Sequence, residues 1–132
     1  MAETFQFELV SPERVLMSTS AEQVVVPGSE GDFAILPRHA PVISTLRPGI
    51  LDVTLPEGRK RVFVKGGFAQ MDNDVLTILV EHAIGPEGLD AAGVAKAIEE
   101  AEADLRAAVD DRGRKAANDA LDALRQFRAG AH

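Results

Sequence analysis

Side chains able to do chemistry are few and scattered along this chain of 132 residues. Of the three histidines, His132 is terminal, His82 falls near the end of a strand-like run as a partly exposed side chain, and His39 lies in a proline-bounded loop. A nucleophilic serine is normally carried on a Gly-x-Ser-x-Gly elbow, and Ser11, Ser18, Ser20, Ser29 and Ser44 all lack one. No Gly-x-x-x-x-Gly-Lys loop is present to cradle phosphates. The absence of cysteine removes thiolate chemistry, disulfides and most structural zinc designs. Asp72-Asn73-Asp74 resembles calcium ligands, but it lacks the downstream Gly and bidentate Glu of an EF-hand and reads as a hairpin turn. Gly66-Gly67, beside a strand, reads as a bulge or a close backbone approach rather than a phosphate site. With no constellation for catalysis, the residues favour a protein that works by contact.

Among these groups His39 is the best positioned, within Leu36-Pro37-Arg38-His39-Ala40-Pro41. Each proline fixes its own φ and pushes the preceding residue toward extended backbone, so the loop is stiff and presents its side chains reproducibly. Spacing leaves two readings of His39 open: a hydrogen bond within the loop, or a contact to another subunit.

The elements that must carry these loops follow from composition. Residues 1–85 hold eleven Val and five Thr against six Ala, whereas residues 86–132 hold two Val, no Thr and fourteen Ala. β-Branched residues suit pleated surfaces and alanine suits helices, so the shift predicts an all-β domain at 1–85 and a helical element at 86–132, divided by Gly85, Pro86 and Gly88. Apolar runs in the first part recur between turn signals at roughly ten-residue spacing, predicting a sandwich or flattened barrel of about eight to ten strands. In the second part Val94, Ile98, Ala101, Leu105 and Val109 form one stripe, and Ala117, Leu121, Leu124 and Phe127 another. Helices at about 90–111 and 114–128 are expected, with Asp90 as the first cap and Gly113 as a left-handed residue at the reversal of an antiparallel hairpin. Alanine-rich stripes bury little area, so the hairpin is expected to be marginal alone and able to leave its dock.

Charge sharpens this picture. The chain carries a formal charge of -7, with a pI near 4.9, which argues against nucleic-acid and anionic-membrane binding. From Asp90 to Asp111 there are seven acids and two bases; from Arg112 to Arg128 there are five bases and two acids. Either the helices pair their opposite fields, or the basic second helix is offered to an acidic partner when it swings free. The start, interrupted by Glu3 and Glu8, reads as a mature N-terminus, and no run approaches the ~18 apolar residues of a membrane-spanning helix.

Five fragments in register, Phe7-Glu8-Leu9-Val10-Ser11-Pro12, Pro27 through Phe33, His39-Ala40-Pro41, Leu46 with Pro48-Gly49, and Val64-Lys65-Gly66-Gly67-Phe68, resemble the epsilon subunits of F-type ATP synthases of bacterial type, over essentially the whole chain. The resemblance implies a non-catalytic rotor subunit bridging the gamma subunit and the ring of c subunits, peripheral to the cytoplasmic face of the inner membrane. Ser29, Glu30, Gly31 and Asp32 match the family's ring-facing turn, with Asp32 at its acidic position. His39, Pro41 and Val42 match the segment that packs on gamma. An extended hairpin can also oppose ATP hydrolysis among the alpha and beta subunits, for which Arg112, Arg114, Lys115, Arg125 and Arg128 are available.

Members that bind ATP show Asp-x-x-Arg-Ala in the first helix. Here Arg106-Ala107 has Ala103 at the Asp position, and Asp104 sits ~200° around the helix from Arg106. Arg106 is therefore a weak ATP candidate, and no cofactor is expected. The reading from a different class is a freestanding, ligand-responsive β-sandwich, which the lack of Trp and Tyr disfavours.

Overall fold

The computed structural model describes residues 3–130, so His132 lies outside the described residues. Eight strands come first: β1 Phe5–Val10, β2 Val15–Ala21, β3 Gln23–Gly28, β4 Gly31–Ile35, β5 Val42–Thr45, β6 Gly49–Leu55, β7 Gly58–Asp72 and β8 Val75–Ile84. One turn of 3-10 helix, Pro86–Gly88, leads into helices α1 Ala91–Ala107 and α2 Asp111–Gly130.

The strands join in the order β2-β1-β8-β7-β6-β3-β4, with β5 on β7. β1 and β8 run parallel, and the other pairs are antiparallel. β7 pairs β6 through its first half, β5 through its second, and β8 from Phe63 onward. At Gly66-Gly67 the strands approach closely: Lys65 pairs His82 and Gly67 pairs Val80, with no Gly66–Glu81 pair between them and both glycines at positive φ. A Cβ on Gly67, whose φ is +129, would stand 1.9 Å from the Leu79 carbonyl oxygen.

Strand alternation divides the apolar side chains between two cores. Inward residues such as Phe7, Leu9, Val24, Val26, Leu51, Val53, Val62, Val64, Met71 and Ile78 fill the sandwich. Phe63, between Val62 and Val64, points the other way. It belongs instead to a second cluster with Leu89, Val94, Ala97, Ile98, Ala101, Ala120, Leu121 and Leu124, flanked by Ile50, Ile84 and Phe127. The helical hairpin therefore docks on the outer side of β6, β7 and β8. Arg61 places its guanidinium 5.2 Å from the Phe127 ring centroid, adding a cation–π contact.

Asp90 caps α1 as expected, accepting a 2.8 Å hydrogen bond from the Gly93 N–H. The hairpin's reversal differs from the sequence reading in two respects. α1 stops at Ala107, four residues early, and α2 begins at Asp111 rather than 114. Gly113 is not the left-handed turn residue; it lies in the first turn of α2 and donates its N–H to Asp110 Oδ1 at 2.8 Å. An aspartate side chain that satisfies an orphan N–H starts a helix as effectively as a glycine ends one, and here the cap at Asp110 prevails. Val109, placed in the stripe by its spacing, falls in the reversal and is 91% exposed.

Truncating a buried Phe typically costs about 3–5 kcal/mol. In Phe63→Ala that loss is expected to fall on docking, so hydrogen exchange should accelerate in α1 and α2 while the amides of β1 and β8 stay protected. Equal loss of protection in strands and helices would contradict the division into two cores.

Candidate functional site

β5 is only four residues long, yet it joins both loops singled out from the sequence. Its residues alternate: Val42 is half-buried against the sandwich core, Ile43 is 71% exposed, Ser44 is half-buried and Thr45 is exposed. Register aligns Ile43 with Gln70 and Thr45 with Phe68. On the next strands Val75, Thr77 and Leu79 of β8 pair Gln6, Glu8 and Val10 of β1. The outward positions of β5, β7, β8 and β1 thus form one face carrying Ile43, Phe68, Val75, Leu79 and Val10. A shallow groove of about 340 Å³ runs across it, bounded by Val10, Phe68, Gln70, Val75, Thr77 and Leu79. The polar side chains of Gln70, Asp72 and Thr77 separate the apolar ones along this face.

At the start of β5, Arg38 adopts a left-handed φ of 63° and His39 donates its backbone N–H to the Leu36 carbonyl at 3.1 Å. His39 Nδ1 lies 2.7 Å from the Ala40 carbonyl oxygen, so the loop-internal hydrogen bond exists, while the other edge of the ring remains available. Pro41 is exposed. Val42, named with this segment from the sequence, is half-buried against the sandwich core, and the exposed apolar side chain of β5 is its neighbour Ile43. Period-two alternation was the available signal, but with both residues β-branched and apolar it could not say which one faces out.

At the other end of β5 lies the two-residue turn Ser29-Glu30 between β3 and β4, closed by Gly31 at φ 131°. Ser29 donates its N–H to the Thr45 carbonyl at 2.9 Å, and the two hydroxyls lie 2.7 Å apart. Asp32 is ion-paired with Arg47, whose Nη1 also donates to the Gly28 carbonyl at 2.6 Å. Sequence reading could not find that pair, because the partners are fifteen residues apart and meet only through the β3–β4 hairpin. Glu30, at the tip, is exposed and makes no ion pair among the described residues.

The hairpin residues do not converge. Arg106 is exposed at the end of α1, while Asp104 reaches Lys65 of β7 at 3.3 Å and so faces the sandwich. Arg114 pairs with Asp111, Lys115 with Asp119, and Arg125 with Glu102 across the hairpin. Arg112 and Arg128 make no ion pair among the described residues and stand exposed. The cleft between hairpin and sandwich, about 310 Å³, is lined by Phe63, Lys65, His82, Ile84, Glu100 and small alanines. No cluster of three metal-ligating side chains occurs among the described residues.

Residues 4–86 match the family model described as ATP synthase, Delta/Epsilon chain, beta-sandwich domain. The ATP synthase epsilon chain of Parvibaculum lavamentivorans is 47% identical over 130 residues, covering 97% of this chain and 98% of that one. The ATP synthase epsilon chain of Paramagnetospirillum magneticum is 43% identical over 135 residues, covering 100% of this chain and 88% of its own. Among solved structures, a chain of the Euglena gracilis mitochondrial ATP synthase, OSCP/F1/c-ring in rotational state 1, superposes with a TM-score of 0.73 at 26% identity, covering 98% of this chain and 82% of that one. A chain of the Tetrahymena thermophila mitochondrial ATP synthase central stalk/c-ring shares the fold, with a TM-score of 0.61 at 14% identity over 99% and 98% of the two chains. Sandwich, hairpin and near full-length identity agree, and the chain belongs to the ATP synthase epsilon chain family.

Proposed function

We propose that the chain is a non-catalytic rotor subunit of a proton-translocating ATP synthase, with the outward face of β5, β7, β8 and β1 packed on the gamma subunit and the Ser29-Glu30-Gly31-Asp32 turn against the ring of c subunits. The single observation that carries the reading is the apolar face around Ile43, continuous with the stiff loop bearing His39 and Pro41. Fully covering an Ile, Phe or Val side chain stabilises an interface by about 1.5–3 kcal/mol, against ~0–1 kcal/mol for an exposed ion pair. Gamma is therefore held by the apolar face, and the ring by a weak, salt-sensitive contact. At the ring, Glu30 and Asp32 both present exposed carboxylates, and the pairing of Asp32 with Arg47, which also binds the Gly28 carbonyl, keeps the turn in shape. Membrane association comes through the complex, at the cytoplasmic face of a bacterial inner membrane; no helix among the described residues is long and apolar enough to cross a membrane.

Adjacent residues separate packing from binding. Val42→Asp places a charge against the sandwich core and is expected to lower the Tm of the isolated chain. Ile43→Asp should leave the Tm near wild type and weaken gamma binding by about 3 kcal/mol, roughly a hundredfold. Stoichiometric co-purification of Ile43→Asp with gamma would overturn the assignment.

For the hairpin, the proposal is a restraint on ATP hydrolysis when the helices extend and Arg112, Arg114, Lys115, Arg125 and Arg128 become available to acidic partners on alpha and beta. Arg125 pairs with Glu102 across the hairpin and is released when the two helices separate, whereas Arg114–Asp111 and Lys115–Asp119 lie within α2 and persist, and Arg112 and Arg128 make no ion pair among the described residues. Deleting the chain from Gly88 onward is expected to raise the ATPase activity of the assembled enzyme, and unchanged activity would remove the inhibitory role.

Nucleotide sensing has no such support, because Arg106 and Asp104 face different ways. Calorimetric titration of the isolated chain with ATP should show no binding tighter than about 1 mM.

A further inference from the structure

The loop before β5 adopts a conformation that its own residues do not favour. Arg38, a non-glycine residue, sits at φ 63°, in the left-handed region that L side chains disfavour. Pro37 and Pro41 have no N–H to give, so few backbone donors are left to hold the loop. One of them, the Arg38 N–H, donates to Asp74 Oδ1 at 2.6 Å, across thirty-six residues of sequence. A carboxylate acceptor makes this a charge-assisted bond, stronger than an ordinary amide contact.

Asp74 is itself well anchored. It occupies the two-residue turn between β7 and β8, where Asn73 and Asp74 have φ 52° and 59°, and its carbonyl accepts the Gln6 N–H of β1 at 2.9 Å. The residue thus ties together β1, the β7–β8 turn and the loop. The Arg38–Glu3 ion pair, at 2.7 Å, engages the Arg38 guanidinium at the far end of its side chain and not the backbone N–H that the loop conformation presents.

We infer that Asp74 is a positioning residue for partner binding: its carboxylate fixes the Arg38 amide and thereby the presentation of His39, Pro41 and Ile43 to gamma. The inference rests on the proposed gamma-facing surface. Asp74 touches no partner in this role and acts through the loop alone.

Two substitutions in the full chain separate the carboxylate from the turn. Asp74→Gly deletes the acceptor yet leaves Asn73 followed by glycine, a sequence favoured in such hairpins, so the fold and the Tm are expected to persist. Asp74→Asn tolerates the same φ and keeps an acceptor oxygen. Hydrogen exchange at the Arg38 and His39 amides, and affinity for purified gamma, are the two measurements. In Asp74→Gly the amides are expected to exchange about tenfold faster and gamma to bind about tenfold more weakly, while Asp74→Asn, which keeps the acceptor without its charge, falls between Asp74→Gly and wild type in both. Unchanged amide exchange in Asp74→Gly overturns the inference. So does faster exchange with undiminished gamma affinity, provided Ile43→Asp does lose affinity. If Ile43→Asp binds gamma normally, the failure lies instead with the proposed surface.

Discussion

A strand of fifteen residues cannot bury its side chains unless its backbone groups are paired, and β7 meets that condition only by using three neighbours: β6 along its first half, β5 along its second and β8 over most of its length. Everything else is placed by that pairing. Inward positions of β7 supply Val62, Val64, Ala69 and Met71 to the sandwich, and the outward Phe63 supplies the anchor on which the hairpin rests. Gly67 lets β7 and β8 approach where a Cβ would collide with the Leu79 carbonyl, just before the part of the strand where β5 is added. A slip of one residue would exchange Phe63 for a valine and turn both cores inside out.

The short strand β5 is the consequence of greatest functional weight. Its first residue leaves the loop held by Asp74, and its last bonds the turn at Ser29. Four residues in extended conformation span only about 13 Å. The two proposed contacts, one to gamma and one to the ring, are therefore connected by a single hydrogen-bonded element and not by a flexible linker. A rotor subunit that must turn with both neighbours needs that property more than it needs tight binding at either end, because compliance between the contacts would let one move without the other.

The outline of the fold was legible in the sequence because it rests on local physics. The change from valine and threonine to alanine marks the passage from strands to helices, and Asp72-Asn73-Asp74 forms the hairpin turn that its residues favour. Asp90 caps α1 because the capping bond spans only three residues. What escaped was either phase or distance. Val42 and Ile43 are chemically too alike to reveal which is outward. The Arg47–Asp32 and Arg38–Asp74 contacts depend on strands assembled far apart in the chain, and no local pattern announces them. The hairpin reversal was misplaced because Gly113 and Asp110 both punctuate helices, and spacing does not decide between a stop and a start.

Between the two cores lies a difference in depth that bears on regulation. The sandwich interior is built mainly from Phe, Leu, Ile and Val at nearly zero exposure, whereas the smaller hairpin cluster sets alanines at positions 97, 101 and 120 beside Phe63, Leu89, Val94, Ile98, Leu121 and Leu124. Area buried per residue is lower there, and so is the stabilisation, at about 25 cal/mol per Å². Ion pairs do not redress the balance: among the described residues Glu102–Arg125 ties helix to helix and only Lys65–Asp104 ties helix to sandwich, both at 3.3 Å and solvent-accessible. Contacts within the hairpin therefore survive undocking, while those that hold it down are few and concentrated at Phe63 and at Phe127 beneath Arg61. An element so arranged can leave as a unit without disturbing the outward face of β5, β7, β8 and β1; under the proposed assignment, adjustable regulation falls to the helices and permanent attachment to the strands.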